Sequence, residues 1–141
     1  MKDVELQRQN MVESQVRTAD VTDRRIVRAM LALPRETFVP AAQASVAYMD
    51  KDIQVGAGRF MMNPRVLAKL VQLAGIDTGD RVLEIGAGTG YATLLLASLA
   101  KEVVGIEPDG IMAAKARAAI AERSVANAHI IEAPLRDGAP S

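Results

Sequence analysis

"VLEIGAGTGYAT", residues 82–93, decides the fold: a short apolar run of strand type breaks into a glycine-rich turn, and the turn opens directly into a helix-forming stretch. On its upstream side "DTGD" (77–80) is turn chemistry. Downstream the pattern continues with a helix over 91–100, a strand in "EVVGIE" (102–107), a helix from about Asp109 to Arg123 and a strand near "AHIIEA" (128–133). Strand, helix, strand, helix, strand at this spacing predicts right-handed crossovers and a parallel sheet, so the fold class is α/β. Before the turn, Asn63 caps a helix with Pro64 at its first position, where a missing amide donor does no harm. Leu67, Leu70, Val71 and Ala74 give that helix an apolar face, and Gly75 suits its end.

The N-terminal part reads differently. Val4, Met11, Val12 and Val16 recur at loosely helical spacing over 3–17, which suggests an amphipathic helix. A second helix is capped by Thr22 or Asp23, carries Ile26, Val27, Met30 and Leu31 on one face, and stops at Pro34. From Pro34 to Asn63 prolines, glycines and short apolar pieces predict an extended, loop-rich segment. The expected organisation is therefore a helical and loop extension over 1–63, covering a site carried by an α/β part over 64–141.

The composition narrows the chemistry. With 141 residues, half of them hydrophobic, the chain can bury a core. Lysine plus arginine balance aspartate plus glutamate at 17 each, so overall charge gives no reason to expect nucleic acid or an anionic membrane. Cysteine is absent and histidine occurs once, which removes thiolate metal sites and disulfides and leaves little for any metal centre. No apolar run approaches the ~20 residues of a membrane span, and "MKDVELQRQN" is too polar for a signal peptide, so a soluble cytoplasmic protein is expected.

Three nucleotide chemistries compete for "GAGTG". A phosphate loop of the Walker type needs Gly-Lys-Ser/Thr, and no lysine lies here. A dinucleotide loop wants a small residue where Tyr91 stands. The pattern acidic-x-Gly-x-Gly-x-Gly, met by Glu84, Gly86, Gly88 and Gly90, belongs to S-adenosylmethionine enzymes. That cofactor carries an ammonium and a sulfonium but no phosphate, so an acid at the strand end serves it better than a lysine, and glycines let the backbone approach. Glu107, about 20 residues further on, stands where a carboxylate accepts from ribose hydroxyls. The predicted cofactor set is Glu84, Gly86, Ala87, Gly88, Thr89, Gly90, Glu107 and Pro108. The bland alternative is a tight strand-to-helix turn with Glu107 as a surface charge. His129 lies in the third strand's pattern and is read as structural.

Read together, "MVESQV" (11–16), "LPRETFVP" (33–40), "AYMD" (47–50), "VLEIGAGTGYATLLLA" (82–97) and "VVGIEPD" (103–109) resemble the protein-L-isoaspartate O-methyltransferases. The resemblance implies a Rossmann-like class I methyltransferase sheet, S-adenosylmethionine as cofactor, and methyl transfer to the α-carboxylate of isoaspartyl residues in damaged proteins. A carboxylate is already an anion at neutral pH and needs no general base, so proximity and exclusion of water suffice, and no catalytic side chain is assigned. The family's loop usually reads Gly-x-x-Thr-Ile-Ser-x-Pro. Aligned on Pro64, Met62 takes the serine position and Phe60 the threonine position, within a lid over Gly58, Arg59, Phe60, Met61 and Met62. Methionine cannot donate a hydrogen bond. The bland reading packs Phe60, Met61 and Met62 as core under a loop. Where the family has Gly-Asp-Gly, its aspartate reaching adenine, this chain has Glu132-Ala133-Pro134, and Glu132 is the candidate replacement.

Two rival readings keep the cofactor: a binding protein that no longer methylates, and a methyltransferase for an apolar small molecule suited to a Phe-Met-Met lid. The resemblance further implies a sheet of order 3-2-1-4-5-7-6, of which residues to "RDGAPS" supply only the 3-2-1 half. The strand at 82–85 is then an edge although Val82, Leu83 and Ile85 read as a strand covered on both faces. The expectation is an N-terminal portion of a longer protein, or a short form whose edge pairs with another chain.

Overall fold

The computed structural model describes residues 2–139, which divide between Gly75 and Ile76 into two compact units. In the first, α1 (Lys2–Met11) widens into a π turn over Val12–Val16 and tightens to a 3-10 turn over Arg17–Ala19. The turn stops because Asp20 enters the left-handed region at φ 63. The predicted helix over 3–17 is thus one path with two changes of pitch. Helix α2 (Arg24–Ala32) begins at Asp23, whose carboxylate accepts from the Arg25 amide; Thr22 is not the cap. Ile26, Val27, Ala29 and Met30 are its buried residues, while Leu31 is only half-buried.

The segment from 34 to 63 is more ordered than its composition suggested. Two 3-10 turns (Arg35–Phe38 and Ala41–Val46) lead into an antiparallel hairpin of β1 (Ile53–Gly56) and β2 (Arg59–Met61). Ile53 pairs with Met61 and Gln54 with Phe60, and the register shifts at Gly56. Gly58 turns the hairpin at φ 65. Helix α3 (Pro64–Ala74) follows, with the Asn63 side chain accepting from the Val66 amide at 2.9 Å and Gly75 ending it at φ 62. Its buried face is Pro64, Leu67, Ala68 and Val71. The expected Leu70 and Ala74 lie on the exposed side, because the helix rotates its apolar stripe toward Ala68.

The second unit carries the parallel sheet. Strands β3 (Arg81–Ile85), β4 (Glu102–Ile106) and β5 (Ala128–Ile131) pair in the order β3-β4-β5, both pairings parallel, with Val82 beside Val103 and Val104 beside His129. Helix α4 (Tyr91–Ala97) connects β3 to β4, and α5 (Gly110–Glu122), capped by Asp109, connects β4 to β5. Burial of Leu95, Leu99, Val103, Ile106, Ala113 and Ala116 makes the core of this unit. Strand β3 is an edge among the described residues, and its Leu83 and Ile85 stay about half exposed, at 49% and 51%. His129 lies on β5 beside Val104, with its side chain exposed. Among the described residues no helix is long and apolar enough to cross a membrane.

Candidate functional site

The glycine turn is built by β3 and β4 together. As β3 ends, the amides of Gly86 and Ala87 both donate to the Ile106 carbonyl, at 2.9 and 3.0 Å. This draws the turn across the end of β4. Gly86, Gly88 and Gly90 take positive φ of 83, 59 and 98, a run that residues with a Cβ rarely adopt. The three differ in what surrounds them. No heavy atom lies within 4 Å of a Cβ built on Gly86 or Gly88, so their backbone faces open space. At Gly90 a Cβ would lie 3.0 Å from the Ala116 Cα, so this glycine serves the close approach of α5.

Glu107, fully buried at the end of β4, holds the turn from beneath. Its Oε1 accepts from the Gly88 amide at 2.6 Å and its Oε2 from the Asp109 amide at 2.9 Å. The side chain read as a ribose acceptor is thus committed, in this structure, to the backbone of the turn and of the α5 cap. Glu84, on β3, accepts a hydrogen bond from the buried Thr93 hydroxyl of α4. Burial pushes its carboxyl up to about 7, the Thr93 bond opposes this, and the Glu107 charge adds to it. Pro108 and Glu132 are exposed, and Ala87 and Thr89 are buried. The Glu132 carboxylate lies against the start of α5, 3.3 Å from where a Cβ on Gly110 would stand.

Gly105 completes the arrangement, and reading the motif alone missed it. A Cβ there would stand 2.9 Å from the Ala87 Cβ and 3.2 Å from Glu84 Oε1, so β4 needs a glycine to let turn and acid settle on it. A glycine inside an apolar strand pattern was the available signal. Together these groups form a turn with two bare backbone stretches and two carboxylates at its base. That donor set suits a cation with a polar, flexible chain: the Glu84 carboxyl for an ammonium and the open amide backbone for a carboxylate.

In the first unit, the residues read as a lid lie on the hairpin and just after it. Strand alternation turns Met61 inward at 9% exposure and leaves Phe60 at 60% and Met62 at 39%. Packing of all three as core is therefore excluded. The fully buried Arg35 fixes the position of Met62: its Nη2 donates to the Met62 carbonyl at 2.9 Å and its Nε to the Ala47 carbonyl at 2.6 Å. Beside it the Tyr48 hydroxyl donates to Glu36 and accepts from Arg8 Nε at 2.9 Å. Burial, then the Glu36 hydrogen bond, pushes the Tyr48 phenol up to about 12. "PRE" and "AY", separate in sequence, are thus one clamp that holds the end of the hairpin. At the hairpin base, the Asn63 amide and side-chain nitrogen both donate to Asp52, at 2.8 and 3.0 Å.

Comparison with known proteins points to one family. The family model of protein-L-isoaspartate(D-aspartate) O-methyltransferase matches residues 6–141. Protein-L-isoaspartate O-methyltransferase 2 of Anaeromyxobacter sp. (strain Fw109-5) is 40% identical over 126 residues, 89% of this chain and 52% of that protein. The corresponding protein of Methanoculleus marisnigri is 37% identical over 134 residues, 95% of this chain and 61% of its own length. Among solved structures, a protein-L-isoaspartate O-methyltransferase superposes with TM-score 0.78 at 25% identity, over 94% of this chain and 44% of the other. A Plasmodium falciparum protein described as a β-aspartate methyltransferase, in complex with S-adenosyl-L-homocysteine, shares the fold with TM-score 0.73 at 20% identity, over 89% of this chain and 62% of its own. The chain spans about half the length of the first of these curated relatives.

Proposed function

The chain belongs to the protein-L-isoaspartate(D-aspartate) O-methyltransferase family, and from that premise we propose that it binds S-adenosylmethionine on the turn at 86–90 for methyl transfer to isoaspartyl carboxylates of damaged proteins. The observation that carries this reading is the pair Gly86 and Gly88, both at positive φ with open space where a side chain would be, above the buried Glu107. In the proposal Glu84 faces the cofactor's ammonium, the amide backbone of 86–90 lies along its methionine part, Glu107 with Pro108 borders the ribose, and Glu132 borders the adenine. When bound, the cofactor supplies an electrophilic methyl group on a sulfonium. The chain's own part is to hold an already ionised carboxylate in line and keep water away, which asks for no proton transfer. The segment 58–62 is the proposed lid, with Phe60 and Met62 as its outward apolar surface. The proposed place of this work is the cytoplasm.

One observation favours a different acceptor. Phe60 and Met62 present a ring and a thioether, neither of which donates a hydrogen bond, and an apolar small molecule would suit them. Titrating S-adenosylmethionine calorimetrically and then assaying methyl transfer to an isoaspartyl peptide separates the readings. Binding with transfer supports the isoaspartyl one, binding without transfer rejects it, and no binding rejects both. A further part of the proposal is self-association through β3, whose edge and half-exposed Leu83 and Ile85 suit a second strand.

A further inference from the structure

A groove of about 460 Å³ runs along α2 in the first unit. Its floor is aliphatic, from the buried Val21 and Val27 and the half-buried Leu31, and its rim is formed by the exposed Arg17, Arg24 and Arg28. We propose that this groove is a docking site for an acidic peptide segment of a partner protein, its carboxylates on the arginine rim and an aliphatic side chain on the floor.

The arginines work against the helix that carries them. Arg24 is the first residue of α2, where a positive charge opposes the helix dipole. Arg28 stands four residues later on the same face, a like-charge spacing that is itself unfavourable. Neighbouring acids do not relieve this. Asp23 is occupied by Arg25, accepting from its amide at 2.9 Å and its Nη2 at 2.8 Å. Glu13 pairs at 2.9 Å with Arg17, at an exposed site. Arg24 and Arg28 have no ion pair among the described residues. Two forked guanidiniums one helical turn apart, about 6 Å along the axis, match carboxylates two residues apart on an extended chain, about 6.6 Å.

The apolar floor selects a peptide over a nucleic acid. A polyanion held by phosphates alone would ignore Val21, Val27 and Leu31, and no aromatic ring lines the groove for a base to stack on. The chain's charge also balances at 17 against 17, so its overall charge gives no general attraction for a polyanion.

The test is fluorescence anisotropy with a labelled Gly-Glu-Leu-Glu-Asp-Leu-Gly peptide, without S-adenosylmethionine, so that its outcome is independent of the methyltransferase reading. Saturable binding is expected. It should weaken at least tenfold in Arg24→Gln/Arg28→Gln protein, whose circular dichroism melt should be unchanged or raised because both charges oppose the helix, and at least threefold when both leucines of the peptide become serine. On the unaltered protein, peptide-induced amide shifts in a heteronuclear NMR spectrum should centre on residues 17–31, which keeps the test decisive if the double variant misfolds. Equal affinity for the serine peptide or for single-stranded DNA, or shifts centred elsewhere, would overturn the proposal. So would the same shifts on concentrating the protein alone, which would assign the groove to a second copy.

Discussion

Glu84 joins a partly buried carboxyl to a hydroxyl, Thr93, that is itself inaccessible, and its pH behaviour follows from that placement. Its carboxyl is held up at about 7 against an ordinary 4.5. Below the lower value folded and unfolded chains are both protonated. Between the two the unfolded chain gives up a proton that the folded one keeps, so Glu84 lowers stability progressively as pH rises through this window. Urea unfolding from pH 5 to 8 should therefore show a smaller loss of stability in Glu84→Gln than in the parent protein; parallel profiles would mean that Glu84 is already ionised when folded. If Glu84 faces the cofactor's ammonium, the affinity for S-adenosylmethionine should also rise from pH 6 to 8 in the parent and stay flat in Glu84→Gln. Met62 offers a second residue-scale test. Met62→Ser restores one hydroxyl, worth about 0.5–1.5 kcal/mol as a hydrogen bond, so kcat/KM for an isoaspartyl peptide should rise roughly two- to tenfold with cofactor affinity unchanged.

At the scale of elements, two glycines set how closely the parts of the second unit approach. Gly105→Ala would push a methyl group against Ala87 Cβ, 2.9 Å away, and should cost about 1–3 kcal/mol in a thermal or urea melt while weakening cofactor binding. Gly90→Ala combines a strained φ of 98 with a 3.0 Å contact to Ala116 and should cost at least as much; a neutral result at both sites would mean that the turn can move as a body. Strands β3, β4 and β5 and helices α4 and α5 were legible because each apolar run is bounded by turn chemistry, as at Asp77–Asp80. The hairpin of β1 and β2 was not, because Gly56 and Gly58 mask strands of only four and three residues. Its alternation, with Phe60 out and Met61 in, appears only once pairing is known. The site divides the same way. The glycines of the turn could be read from spacing, whereas the Arg35 clamp, the Glu107 struts and the Gly105 contact depend on residues brought together by folding. Tyr48→Phe, which removes the hydroxyl between Arg8 and Glu36, should lower stability by about 1 kcal/mol.

At the scale of the whole molecule, the sheet of three parallel strands with β3 at its edge among the described residues is the feature with the largest consequence. Sedimentation across a range of concentrations should show association that Leu83→Lys weakens, since a charge on that face opposes a second apolar strand; a monomer at every concentration would remove self-association from the proposal. The methyltransferase reading rests on cofactor binding before anything else. Isothermal titration of S-adenosylmethionine into the chain at pH 8 measures that directly. One saturable site per chain is expected, with affinity reduced at least tenfold by Gly88→Val, which fills the open backbone face of the turn. A titration without saturable heat, or one that Gly88→Val leaves unchanged, would contradict the assignment of residues 86–90 as the cofactor turn.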